Sequence, residues 1–221
     1  MAIGGIEMDI FEKLQKYTDY SLRRSDEKIE IQYMDTAFEG LTFTGYDLNN
    51  TRFTKVKFNE CDFTDVYLSG SNLSGSTFKH CIFNNNIFRK GLAHYALFEN
   101  TDLKKLDAFR TSFCDATFNN LLIEDSIIKR CLISDAAFTN VVFRKTDLSD
   151  TSFIHSKFTN VKFVECVLNN TKFIDNFVDV LCLEGVEFID CNRDIDGLLI
   201  DYEEWLRGIH NIPKPNKPNN K

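Results

Sequence analysis

The chain has 221 residues, 43% of them apolar and 27% charged, with a net charge of −7. This acidity speaks against general affinity for nucleic acid or an anionic membrane, and no apolar run approaches the ~20 residues needed to span a bilayer. Seven cysteines without a Cys-x-x-Cys pair or a His-Glu-x-x-His fit buried thiols better than a disulfide framework or a metal centre.

Residues 1–32 read as a lead-in. Acidic and basic residues stand where a signal peptide needs its apolar stretch, so a cytoplasmic protein is expected. Ile6, Ile10, Phe11 and Leu14 recur at helical spacing, which predicts a helix over 6–17 that caps the segment beginning at residue 33.

From residue 33 to 191 the period is five. Stepping from Phe38 through Phe43, Leu48 and Phe53 to Phe188 gives 31 consecutive positions without a polar residue or a slip. They take 18 of the 21 phenylalanines, so one kind of pocket is being filled many times. Two residues before each centre stands a mostly small or β-branched residue, such as Thr51, Val56, Cys61, Ser71, Cys131, Val141 and Thr171. Five matches neither the 3.6 of a helix nor the 2 of a strand. It fits short extended steps joined by turns, with two residues of every five pointing inward.

Units such as Tyr46-Asp47-Leu48-Asn49-Asn50, Ser71-Asn72-Leu73-Ser74-Gly75, Thr101-Asp102-Leu103 and Thr146-Asp147-Leu148 resemble the pentapeptide-repeat family. The resemblance implies an all-β fold, a right-handed quadrilateral β-helix with four pentapeptides per coil, to which the apolar spacing of the two end segments adds short N- and C-terminal helical caps. Thirty-one units then make nearly eight coils, a rod of roughly 37 Å at ~4.8 Å between paired strands. Residues 20 apart should stack. Asn100, Asn120, Asn140 and Asn160 read as an Asn ladder or, less simply, a recognition stripe, and Cys61 and Cys81 as a packed, reduced pair. Ala93 and Ala108 should leave a gap that Phe109 could swing in to fill.

After Cys191 the period stops. Ile195, Leu198, Leu199, Tyr202, Trp205 and Leu206 predict a helix over 192–210, which either caps the last coil or joins two copies. The resemblance favours a homodimer, with Leu198, Leu199, Tyr202, Trp205 and Leu206 as contacts. Residues 211–221, rich in Pro and Asn, read as a disordered tail.

Catalytic patterns do not surface: there is no phosphate-binding glycine loop and no nucleophile elbow, and His80, His94, His155 and His210 fall at polar places. No enzyme, cofactor or metal is expected. The resemblance implies a protein partner of the kind of DNA gyrase or topoisomerase IV, reached through a DNA-like acidic rod that confers quinolone or toxin resistance. A scaffold for another protein is the alternative. Candidate surfaces are a basic patch, Arg89, Lys90, Arg110, Lys129 and Arg130, with Lys104, Lys105, Arg144 and Lys145 placed beside it. An apolar strip drawn from Ile82, Leu122 and Val142 on one face and Ile87, Ile127 and Val167 on the next completes the set. A basic patch midway along the shaft argues against DNA mimicry.

Overall fold

One residue in every five turns left-handed, and this makes the coil square. The computed structural model describes residues 9–179 and, beyond them, the backbone of strands Leu181–Glu184, Glu187–Ile189, Asn192–Ile195 and Leu198–Leu199. In each of the 29 units from Asp35 to Asp175, the residue two places after the centre has positive φ, between 49° and 86°. Gly, Asn and Asp, which tolerate this region best, fill 18 of these places.

Four such corners close a coil of 20 residues, and along the described shaft strands pair in parallel with those 20 residues on: Phe38 lies opposite Phe58, Phe58 opposite Phe78, and Phe118 opposite Phe138. The result is a parallel β-solenoid of about seven turns. Its faces are named I to IV after the centres Phe53, Phe58, Phe63 and Leu68 of one coil. Between coils the backbone is paired throughout; for example, Phe63 N–H donates to the Ile82 carbonyl and Asp62 N–H to the Leu41 carbonyl.

The core is four columns of stacked Phe, Leu, Ile and Ala centres, one of them built of rings from Phe58 to Phe158. On face II, Phe58, Phe78, Phe98, Phe118, Phe138 and Phe158 stack with centroids 4.8–5.3 Å apart and planes within 11° of parallel. Column II meets column III edge-on, as in Phe58–Phe63 and Phe63–Phe78. The small residue two before each centre also points inward, and its hydroxyl serves the corner amides. Ser76 Oγ accepts from Val56 N–H (2.9 Å) and donates to the Phe53 carbonyl (2.6 Å). Ser156, Thr101 and Thr151 repeat this pattern. Cys61 and Cys81 are stacked, buried free thiols.

The gap at Ala93 and Ala108 is filled, but not by Phe109. Both alanines are fully buried, and the Phe88 ring lies against Gly91, where any Cβ would collide with it. Phe88 reaches Phe113 edge-on at 6.1 Å. Phe109 stays on the surface under Arg110 and Arg130, because its place in the unit is an outward one.

The N-terminal helix, α1 (Ile10–Ser21), lies across the open end of the first coil. Leu14 is fully buried and Phe11 packs on Tyr46. The first coil has no predecessor to pair with, and α1 supplies the missing partners on face IV: Thr18 Oγ1 accepts from Asp47 N–H (3.0 Å), and the Tyr17 hydroxyl donates to the Asn49 carbonyl. Residues 6–8 of the expected helix lie outside the described residues. At the other end the helix expected over 192–210 is corrected at its start. Asn192–Ile195 continues the parallel pairing onto Lys172–Val178 and turns back on Leu198–Leu199 as an antiparallel pair, so coil pairing overrides the helical spacing there. Residues 200–210 and the tail 211–221 lie outside the described residues.

Candidate protein-binding surface

Five of the shaft's basic residues gather where face IV turns into face I. Lys90, Arg110 and Arg130 occupy the left-handed corner of three successive coils, with φ of 55°, 56° and 55°. The 20-residue step therefore stacks them in a column parallel to the axis, at the ~4.8 Å spacing of paired strands. Arg89, Phe109 and Lys129 precede them by one residue on face IV.

Most of this charge is answered from within. Arg89 Nε donates to Asp107 Oδ2 at 2.9 Å, Lys129 Nζ lies 2.7 Å from Asp147 Oδ2, and Arg130 Nε lies 3.3 Å from Asp150 Oδ2. Two of these pairs follow one rule: the residue after a centre reaches the residue before the centre on the next coil, 18 positions on. The hydrogen bond to Asp107 raises the Arg89 pKa further. Burial pushes the Asp147 carboxyl up, but hydrogen bonds from Lys129 and Ser149 outweigh it and hold it below the usual carboxylate range. Asp150 is held low by hydrogen bonds from Asn170 and then Arg130.

Two cations are left over. Lys90 and Arg110 have no carboxylate within ion-pair distance among the described residues. Arg110 instead lies over the Phe109 ring, 5.2 Å from its centroid, with Arg130 at 5.8 Å. A guanidinium stacked on a ring keeps its N–H edge free for an anion. Large apolar side chains flank the column. Leu92 and Leu132 stand two residues past Lys90 and Arg130 on face I, 41% and 43% exposed, and Ile127 is 44% exposed on face IV.

The other basic and apolar candidates separate. Lys104, Lys105, Arg144 and Lys145 lie at the corner between faces III and IV, across the width of face IV from the column. Arg144 pairs with Glu124 (3.3 Å) and Lys145 with Glu165 (3.8 Å). Leu122 and Val142 are register neighbours, each half-buried. Asp102 separates Ile82 from them and accepts the Leu122 N–H at 3.2 Å. On face IV, Asp107 stands between Ile87 and Ile127, and Asp147 between Ile127 and Val167, so the expected strip is broken into short pieces. Leu198 and Leu199 lie in the last strand, and Tyr202, Trp205 and Leu206 lie outside the described residues.

Asn120, Asn140 and Asn160 each donate Nδ2 to the Oδ1 of the Asn one coil earlier, at 3.2, 2.9 and 2.8 Å, which makes them a structural ladder. The ladder borders a shallow surface concavity of about 640 Å³ that includes His80, Ile82, Asn100 and Lys104. Charge is spread evenly round the rod. Over residues 35–179, Asp and Glu against Lys and Arg leave faces I, II and III at −1 each and face IV at +1. No helix among the described residues is long and apolar enough to cross a membrane.

A family model described as Pentapeptide repeats matches eight copies, over residues 47–85 and 131–170. Among solved structures, a trypsin-treated variant of QnrB1, a plasmid-mediated fluoroquinolone resistance protein, is similar with a TM-score of 0.53 at 16% identity. That match covers 72% of this chain and 90% of that one. HetL, a pentapeptide repeat protein involved in heterocyst differentiation regulation from the cyanobacterium Nostoc sp. strain PCC 7120, matches at 15% identity with a TM-score of 0.30. It covers 87% of this chain and 100% of that one. No curated protein sequence matches. At these identities the likeness is one of fold.

Proposed function

We propose that this chain, a member of the pentapeptide-repeat family, is a non-enzymatic binding protein that meets a protein partner along the outside of a rigid rod. The observation that carries this reading is the interior. Stacked aromatic and aliphatic centres fill the axis from Phe43 to Phe173, so a ligand has to be met by outward side chains held at fixed spacing. Buried free thiols at Cys61, Cys81, Cys131 and Cys166 suit a reducing, cytoplasmic setting. A second copy joined through Leu198, Leu199, Tyr202, Trp205 and Leu206 would double the surface on offer.

Two kinds of partner follow from the rod. The even spread of charge favours a protein-interaction scaffold, since a DNA mimic needs one continuously negative face. The second reading, a gyrase or topoisomerase IV binder, draws on the overall acidity and on the fold shared with QnrB1, which is itself a fluoroquinolone resistance protein. A gyrase supercoiling assay with and without ciprofloxacin separates the two. A scaffold should cause no change at any protein concentration. Protection from the drug, or inhibition at low micromolar protein, would replace the scaffold with the topoisomerase reading.

A further inference from the structure

We infer that the corner column of Lys90, Arg110 and Arg130 is a docking site for an acidic segment of a partner protein, one in which carboxylates alternate with large apolar residues. This rests on the binding-rod reading above and names the partner's chemistry.

The rod leaves part of its own charge unanswered. Arg89, Lys129 and Arg130 have carboxylates of their own, in Asp107, Asp147 and Asp150. Lys90 and Arg110, adjacent in the same column, do not. Two uncompensated cations one coil apart repel each other, and an anion set between them relieves that repulsion. Arg110 is already held against Phe109, so part of the entropy cost of fixing its side chain on binding is met beforehand. Arginine is also among the residues most enriched at the energetic centre of protein interfaces.

The surroundings select the kind of anion. A nucleic acid presents a continuous row of phosphates, and here Asp107, Asp147 and Asp150 are interleaved with the cations and would repel it. Leu92, Leu132 and Ile127 stand on both sides of the column at 41–44% exposure and offer nothing to a phosphate backbone. A peptide suits both features. Three coils span about 10 Å, the length of roughly three residues of extended chain. Side chains two residues apart on such a chain lie about 6.7 Å from each other, within reach of neighbouring cation heads on flexible stems. With the chain edge-on to the corner, its carboxylates turn to the side where Arg110 lies on Phe109, and the residues between them turn the opposite way, to Leu92 and Leu132 on face I.

The test uses fluorescence anisotropy on the full chain with three fluorescein-labelled probes: a twelve-residue peptide alternating Asp or Glu with Leu or Phe, the same peptide with Lys for each acid, and a DNA duplex of twelve base pairs. The acidic peptide is expected to bind best at 50 mM salt and to weaken at 300 mM. Its affinity should fall at least tenfold in the Lys90→Glu/Arg110→Glu variant and hold in a Lys57→Glu/Lys162→Glu control, which reverses two exposed lysines on faces II and III. Circular dichroism checks that both variants keep the wild-type fold. Three results would overturn the inference: equal affinity in the two variants, no binding at millimolar peptide, or preference for the lysine peptide or the duplex. None of these bears on the rod as a binding surface elsewhere, which cross-linking to a cellular partner reports separately.

Discussion

At the scale of the residue, two places in the unit carry the fold, and they were not equally visible. The centre was plain because an unbroken run of apolar residues, mostly Phe, Leu and Ile, at every fifth position has no other explanation. The left-handed corner was harder to see, since Asn, Asp and Gly share it with Lys, Glu, His, Arg and Tyr, and a charged surface residue reveals nothing of its φ. Both places yield predictions. Phe118 sits mid-stack between Phe98 and Phe138, 5.3 and 4.8 Å away, so Phe118→Ala should cost about 3–5 kcal/mol in chemical denaturation. A loss under ~1 kcal/mol would mean that the column is not the core. Tyr95 holds φ of 57° while 68% exposed. Tyr95→Asn should stabilise by about 0.5–1 kcal/mol, because Asn visits this region with less strain, and a destabilisation in the same assay would contradict strain at this corner.

At the scale of the element, caps decide where the coil starts and stops. Helical spacing placed α1 correctly in kind, though the helix begins at Ile10 and runs four residues beyond the expected end, to Ser21. What the spacing could not show is that Thr18 and Tyr17 stand in for an absent coil, because those hydrogen bonds run to Asp47 and Asn49, far along the chain. The Tyr17 phenol is pushed up to about 12 by burial, then by the charges of Asp47 and Tyr20. A tyrosine whose folded pKa lies above its unfolded value of ~10 lends stability that is fully present below pH 10 and lost as pH rises through about 12. Tyr17→Phe should therefore be less stable than wild type at pH 8, and the difference should shrink above pH 10. A gap that held constant to pH 12 would contradict the role given to the phenol. The same long-range pairing explains the C-terminal correction, since local apolar spacing at Ile195, Leu198 and Leu199 carries no record of the strand one coil earlier.

At the scale of the whole molecule, the rod turns a set of surface residues into a map. Sequence position alone gathered Arg89, Lys90, Arg110, Lys129 and Arg130, and the coil does bring them to one corner. It also supplies their partners. Arg89 with Asp107 and Lys129 with Asp147 are 18 residues apart, and Arg130 with Asp150 is 20 apart, steps that acquire meaning only once the coil length is known. Lys104, Lys105, Arg144 and Lys145 fell on another corner for the same reason, and the apolar strip broke because Asp102, Asp107 and Asp147 interrupt it between coils. The rigid exterior thus has balanced charge and one corner where two cations, a ring and three exposed aliphatic side chains meet.

Zero-length carbodiimide cross-linking in cells that express the protein, followed by mass spectrometry of the joined peptides, puts that corner to the test. A carbodiimide links lysine to a carboxylate in contact with it, and 11 lysines are spread over all four faces between residues 33 and 190. Partner adducts should concentrate on Lys90, each to an acidic peptide of one recurring protein. Adducts confined to Lys57, Lys157, Lys162 or Lys172, with Lys90 unmodified, would show that the partner meets the rod elsewhere and that the corner column is not its docking site.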